Sequence, residues 1–504
     1  MDIVFHIAGV FQPWHVVTLL LGVSGGLILG ATPGISPTLS VALLIPFTFH
    51  MEPTTSLILL GAVYAASIAG GAISAILINV PGAPANIATT FDGYPMARNG
   101  QSQRALQTAF TSTLIGGVVG MLVLIFLAPV FVKFALQFGP AQMFWVAVLG
   151  ITTMATLGSG SLLKGMLAGA FGVWLSTIGI SPATGESRFV FVDELQGGIH
   201  VVVALIALFA IPQVFTLLES SSSQYDPTTG TSVAPKLWQV ISRTVKERTA
   251  LIVGAVSGVI IGIIPGAGGQ VASIIGYDQT RKLSKNNQGF GTGDARGVIG
   301  SETANSAMVG PSLIPLLSLG LPGSPTCAVL LGGLLIHGIF PGPQLFATSG
   351  DVIWVFLGAL LLGQVAIFGL GLWLARAGHF IARVPNYYLA AGILLLSVVG
   401  TYSIQHNTGD VLIMAVLGLV MFLAMKVGFE PAPVVLGVVL GPIAEQNFQM
   451  GRTISSALDG PLAYFTSGPL TISLIALCAI SIGYGALSQW RRRSAVSQAI
   501  QEGV

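Results

Sequence analysis

The sequence predicts an all-α polytopic membrane protein built from two inverted-topology repeats. Each repeat carries a re-entrant helical hairpin and Pro-Gly-broken helices, and the chain makes about 11 crossings besides the re-entrant segments. Three observations predict this. Only 8% of the 504 residues are charged and 53% are hydrophobic, with a mean hydropathy of +0.85, whereas a soluble domain carries roughly 25% charged residues. Residues 106–132, 199–218, 352–375 and 462–489 contain no charged side chain, and each run approaches or exceeds the roughly 20 residues that cross a bilayer core. Finally, one Pro-Gly pattern occurs twice, with opposite loop charge around its two copies.

The duplication is explicit. Gly30-Ala31-Thr32-Pro33-Gly34 interrupts one apolar stretch, and Gly262-Ile263-Ile264-Pro265-Gly266 interrupts another 232 residues later. Downstream, Asn79-Val80-Pro81-Gly82-Ala83-Pro84 is matched by Gly320-Leu321-Pro322-Gly323-Ser324-Pro325 at a separation of 241. Residues 1–218 read as the first repeat, 219–249 as a solvated cytoplasmic linker rich in Ser and Thr, and 250–504 as the second repeat.

Lys and Arg concentrate in cytoplasmic loops. The flanks of the first broken segment, 1–15 and 50–55, hold neither, whereas those of its counterpart, 236–248 and 281–296, hold four each. The loop after the second break behaves oppositely: 92–104 carries Arg98 and Arg104, and 341–351 carries neither residue type. Equivalent loops with opposite bias predict halves inserted upside down relative to each other. Both flanks of 251–277 are basic, and 251–264 gives only about 21 Å of helix. A hairpin turning at Pro265-Gly266-Ala267-Gly268-Gly269 therefore fits better than a crossing, and 16–49 is its mirror image. Crossings are expected near 56–80, 106–132, 142–158, 165–180 and 198–218, then near 299–320, 352–375, 386–401, 411–426, 433–448 and 467–488. This places the N-terminus outside and Arg491-Arg492-Arg493 inside. No basic stretch precedes the first apolar run, so no cleavable signal peptide is expected.

The breaks at Pro33, Gly34, Pro81, Gly82, Pro265, Gly266, Pro322 and Gly323 are where chemistry is expected. Lipid cannot satisfy freed N–H and C=O groups, so such breaks line a cavity or pack within protein. Small polar residues surround them: Ser36, Thr38, Asn79, Asn86, Gly268, Gly269, Gln270, Ser273, Ser324 and Thr326. Helix N-termini aimed at the turns suit carboxylate groups, and unwound carbonyls with Asn and Ser suit a hard cation such as Na⁺. Glu302, with Asn305 and Ser306 one turn on, is a candidate for ion coupling, because an acid inside the membrane is costly. The alternative is a first-turn acid stabilised by the helix dipole. Asp92 and Asp278 read as turn or interface residues, His337 as a buried histidine, and Gly289-Phe290-Gly291-Thr292-Gly293 as a flexible loop. Glu445 stays unassigned.

Other classes are disfavoured. A net charge of +2 gives no nucleic-acid footprint. Cys327 and Cys478 make neither a disulfide framework nor a zinc site. G-x-x-x-x-G-K-[ST] and H-E-x-x-H are both absent, so neither an enzyme nor a cofactor is expected. An anion channel would need a continuous polar path, for which no ring of charges is present, and a purely structural subunit would leave four breaks without a role.

At these residues the sequence resembles the large membrane subunit of tripartite tricarboxylate transporters. The resemblance is carried by Pro33-Gly34 with Pro37-Thr38, Ala42-Leu43-Leu44-Ile45-Pro46-Phe47-Thr48-Phe49, Asp92-Gly93-Tyr94-Pro95-Met96-Ala97-Arg98 and Ile264-Pro265-Gly266-Ala267-Gly268. Ser301-Glu302-Thr303-Ala304-Asn305-Ser306, Gly320-Leu321-Pro322-Gly323-Ser324-Pro325 and Leu335-Ile336-His337-Gly338-Ile339-Phe340-Pro341-Gly342-Pro343 add to it, and Gly269 and Ser301 are mild departures. The resemblance implies uptake of citrate or a related di- or tricarboxylate across the bacterial inner membrane, driven by a Na⁺ or H⁺ gradient. It also implies a periplasmic solute-binding protein and a small membrane subunit of about four helices as partners. An elevator-like mechanism and a homodimer follow only by analogy with other inverted-hairpin transporters, and an H⁺-coupled carrier of another small organic acid is the alternative.

Overall fold

The computed structural model describes residues 9–157, 161–181, 185–219, 235–381, 385–456 and 460–501. Residues 220–234 of the linker read as a tether lie outside them, as do residues 1–8. The first half forms α1 (Pro13–Ala31), α2 (Pro37–Thr48), α3 (Pro53–Ile78), α4 (Ile87–Met96), α5 (Ser102–Ala135), α6 (Pro140–Leu157), α7 (Leu162–Ser176) and α8 (Val201–Glu219). The short antiparallel strands β1 (Gly179–Ile180) and β2 (Ser187–Arg188) lie between α7 and α8. After α9 (Leu237–Lys246) come α10 (Arg248–Ile263), α11 (Gly268–Leu283), α12 (Ala295–Ala307), α13 (Val309–Leu319) and α14 (Pro325–Ile336). The chain closes with α15 (Leu345–Thr348), α16 (Gly350–Ile381), α17 (Asn386–Gln405), α18 (Thr408–Lys426), α19 (Pro431–Ser455), α20 (Pro461–Thr466) and α21 (Pro469–Gln501).

Eight helical segments among the described residues are long and apolar enough to span a bilayer; seven coincide with expected crossings, and the eighth, Pro13–Ala31, was expected to be one arm of a hairpin. The runs 142–158, 165–180, 299–320 and 433–448 are not among them, and 165–180 ends in β1. Three differences are local. The run 299–320 is two helices, interrupted at Met308. Gly269 lies within α11, whereas Gly268, the first residue of that helix, still has a left-handed backbone (φ 65°), as Gly266 does (82°). The run 433–448 is the middle of α19, a 25-residue helix with Pro442 inside it. Many helices begin with proline (α1, α2, α3, α14, α19), where the missing N–H has no intrahelical acceptor to lose.

Contacts divide the chain into two compact units. One comprises Met1–Lys133 with Gln213–Ile404, and the other Phe134–Pro212 with Gln405–Val504. Each unit therefore draws on both halves of the sequence.

Within the first unit, α1 packs against α3 through Gly22, Gly26 and Gly30. A Cβ at Gly30 would lie 2.0 Å from the Ser67 carbonyl oxygen, and one at Gly26 would lie 2.9 Å from that of Val63. Small residues four apart let helices approach closely where hydrophobicity cannot drive them together. The same contact recurs in the second half. Gly254, Gly258 and Gly262 of α10 abut Gly300, Ala304 and Met308. The glycines are 232 positions from their counterparts, and the residues they touch are 241 from theirs. The backbone repeats too: Gly34 and Gly266 have φ of 85° and 82°, while α3 and α13 both end in a left-handed residue, Asn79 at 57° and Gly320 at 72°.

In the second unit α7 crosses α19 at a similar seam, where a Cβ at Gly172 would sit 1.9 Å from the Val434 carbonyl oxygen. α7 is short, 15 residues, and is not among the helices long enough to span a bilayer.

Gly30→Val or Gly262→Val should lower the thermal midpoint sharply, since backbone stands where the new side chain must go and overpacking costs about 1–3 kcal/mol or more. Gly25→Val, whose Cβ would meet nothing within 4 Å, is the control and should melt like the parent chain.

Candidate functional site

The four breaks converge within the first unit, and helix starts face one another there. Ser36-Pro37-Thr38 opens α2 and Ser324-Pro325-Thr326 opens α14. In each, serine is the N-cap: Ser36 Oγ accepts from the Leu39 N–H and Ser324 Oγ from the Cys327 N–H, both at 3.2 Å. Such a cap relieves one of the N–H groups that the first turn leaves without an acceptor. The two starts touch through their threonines, with Thr38 Oγ1 and Thr326 Oγ1 3.0 Å apart.

A second pair of starts lies alongside. Residues Pro84–Asn86 form a 3₁₀ turn leading into α4, and a Cβ at Gly269, at the start of α11, would be 2.9 Å from that of Ala85. The Gly266 N–H donates to the Gly323 carbonyl at 3.1 Å, tying the hairpin turn to the other break. Four helix starts in one region form a setting for anionic groups, because a helix start carries the positive end of the dipole.

Behind α11 lies a buried polar cluster. Asn86 Nδ2 donates to the Ile68 carbonyl at 3.1 Å and to Glu302 Oε1 at 3.2 Å. Thr89 Oγ1 donates to the same oxygen, and Thr113 Oγ1 to Oε2 at 3.4 Å. Glu302 is fully buried and has no ion pair among the described residues. It lies about two turns inside α12, which opens at Ala295, so it is not a first-turn acid. One turn on, Asn305 and Ser306 are buried, and Asn305 Oδ1, Asn305 Nδ2 and Ser306 Oγ have no hydrogen-bond partner among the described residues, nor has Asn86 Oδ1. A Cβ at Gly269 would come within 2.8 Å of Asn305 Oδ1, so only a bare backbone fits beside it. Unpartnered buried polar atoms are costly and call for a ligand or ordered water.

Not every expected residue joins. Asn79 is the exposed left-handed cap of α3, and Gln270 is exposed on the first turn of α11. Neither has a side-chain hydrogen bond into the cluster. Ser273 bonds back to the Gln270 carbonyl. His337 meets Thr48 Oγ1 at 3.2 Å, Asp278 pairs at the surface with Lys282, and Glu445 forms a two-pronged pair with Arg188.

Sequence reasoning missed Tyr64, whose hydroxyl lies 2.9 Å from Ser312 Oγ and 3.2 Å from Ser324 Oγ, together with Thr89 and Thr113. Tyr64 stands 241 positions before Asn305, so the repeat offset was the available signal; Thr89 and Thr113 gave none.

The loop expected to be flexible is instead wrapped on Asp92. The N–H groups of Gly291, Gly293 and Asp294 donate to Asp92 Oδ1 at 2.8–2.9 Å, and Tyr277 donates to Oδ2 at 2.9 Å. The glycines let the backbone curl round the carboxylate, with φ of 87° at Gly291 and 113° at Gly293. Asp92 is thereby a structural interface residue.

A family model matches residues 16–436, and it is that of the tripartite tricarboxylate transporter TctA family. The chain belongs to this family. It is thus the large membrane subunit of a tripartite transport system, with many apolar helices, and not an enzyme. An uncharacterised 52.8 kDa protein from the TAR-I ttuC' 3' region of Agrobacterium vitis is 35% identical over 482 residues, 95% of each chain. A second uncharacterised protein of that organism, from the TAR-II ttuC' 3' region, is 34% identical over 225 residues, 45% of this chain and 92% of its own.

Asp92→Ala should cost about 2–4 kcal/mol of stability, because it strands three backbone N–H groups and the Tyr277 hydroxyl; thermal melting of the solubilised protein measures it. Thr38→Val with Thr326→Val, which removes the hydroxyl contact but keeps the shape, should leave the melt near the parent value and raise the half-saturating substrate concentration about tenfold.

Proposed function

We propose that this chain carries a citrate-like di- or tricarboxylate across the bacterial inner membrane by binding-protein-dependent secondary transport. The observation that carries this reading is the meeting of four broken-helix starts beside the unpartnered amide and hydroxyl of Asn305 and Ser306. The helix starts, with Ser36, Thr38, Ser324 and Thr326, suit the carboxylates. The neutral oxygens of Asn305, Ser306 and Asn86 suit a hard monovalent cation, which supports Na⁺ as the coupling ion. The recurrence of the same packing contacts at fixed separations supports an inverted-repeat origin. The division into one unit of early helices and one of later helices from both halves supports an elevator-like motion of the break-bearing block.

A second reading, H⁺ coupling, is favoured by Glu302, a buried carboxyl held by neutral donors alone.

The test is uptake of labelled citrate into proteoliposomes containing this chain and its small subunit, with the cognate binding protein outside and Na⁺ or H⁺ gradients imposed separately. Saturable uptake that needs the binding protein and a Na⁺ gradient is expected. Asn305→Ala or Ser306→Ala should raise the half-saturating Na⁺ concentration about tenfold, a loss of about 1.4 kcal/mol. Uptake driven by a proton gradient alone and abolished by Glu302→Gln would replace Na⁺ with H⁺. No uptake of any di- or tricarboxylate by folded protein would overturn the carrier reading.

A further inference from the structure

Away from the breaks, the first unit holds a cavity of about 320 Å³ whose lining includes Arg104, Arg243, Arg296, Glu247 and Asp294. Its charges are not balanced. Arg296 is paired with Asp294 through Nε and Nη2 and also donates to the Asn286 carbonyl. Arg104 uses one Nη1 donor on Gln101, and Arg243 is exposed with no hydrogen-bond partner among the described residues. Asp294 also acts on Arg104, and Glu247 acts on Arg296, so three arginines share the lining with two carboxylates. One positive charge is left over, and several N–H donors remain open.

The helix that supplies Arg243 is unlike the others. α9 has only ten residues, with one polar face and one apolar face. Val240 and Thr244 are buried against the protein, while Leu237, Trp238 and Val245 stay exposed, Trp238 by 76%. Gln239, Arg243 and Lys246 occupy the opposite side. A short amphipathic helix with a basic polar face and an exposed tryptophan lies in the membrane interface. It is too short to cross, and its apolar arc runs from the cavity wall at Val240 outwards to Trp238.

We infer that this cavity binds the phosphodiester headgroup of an anionic phospholipid through Arg104 and Arg243, with α9 lying in the interface beside the acyl chains. The surplus of one positive charge matches a monoanionic phosphodiester, and the apolar arc of α9 accounts for the rest of the lipid. A free phosphate would satisfy the arginines but leave that arc without a role. The site is separate from the breaks, so its occupancy is expected to set stability and not substrate recognition.

The experiment titrates the detergent-solubilised chain, with its small subunit, with phosphatidylglycerol, phosphatidylcholine or inorganic phosphate while following the thermal midpoint. Phosphatidylglycerol should raise the midpoint saturably, and the other two should not. Arg104→Gln with Arg243→Gln should raise the half-saturating phosphatidylglycerol about 25-fold, at about fivefold per arginine. Arg243→Gln alone, at an exposed residue, covers the case in which the double variant fails to fold. Brominated phosphatidylglycerol should quench a fluorescence component that disappears in Trp238→Phe. Equal titrations for parent and variants, or stabilisation by phosphate alone, would overturn the proposal. So would absence of quenching at Trp238, the result expected if a protein partner covers α9.

Discussion

The structure depends on how the main chain is satisfied where its helices break. Between α1 and α2, α3 and α4, α10 and α11, and α13 and α14, the backbone leaves its helical ladder, and lipid can supply no partners for the groups it frees. Partners come from close range: the hydroxyls of Ser36 and Ser324, and the Gly323 carbonyl that takes the Gly266 N–H. The bond between Gly266 and Gly323 joins two breaks that lie 57 residues apart in the chain. The glycine seams of α1 on α3 and of α10 on α12 bring the helices close enough for such bonds to form.

The two halves share a backbone plan but not a chemistry. Where the first half has Tyr64, the second has Asn305, 241 positions on. Tyr64 is fully engaged with Ser312 and Ser324, and Cys327 packs against them. Asn305 has both polar atoms open. Ser-Pro-Thr at the start of α2 is likewise answered, 232 positions later, by Gly-Gly-Gln at the start of α11. A side chain there would strike Asn305. Corresponding positions thus give one side rich in satisfied hydroxyls and another with open amide and hydroxyl groups.

Charge has been assigned by a similar economy. Asp92 is held by a curled glycine loop and a tyrosine, Arg188 by Glu445, and Arg296 by Asp294. Such charge-assisted bonds are among the stronger ones available. Glu302 differs, since its partners are neutral and its surroundings wholly buried. Arg243 differs in the other direction, with open donors on an amphipathic helix.

The sequence by itself determined the class of molecule, the helical runs, the duplicated breaks and the candidate residues at them. These follow from local rules: charge is excluded from lipid, about 20 apolar residues cross it, and Pro-Gly interrupts a helix wherever it stands. It also flagged Glu302, because an acid among apolar residues is conspicuous. Only the tertiary structure decided which of those residues meet. Thr38 reaches Thr326 across 288 positions, and Asn86 reaches Glu302 across 216, whereas Asn79 and Gln270 sit at similar breaks but face outwards. The glycine loop shows the same limit: alone it reads as flexible, and it is ordered only because the Asp92 carboxylate, about 200 residues earlier, needs donors. Hydrogen bonds and close contacts are set by distance in space, and no local pattern encodes the partner of an atom that far along the chain.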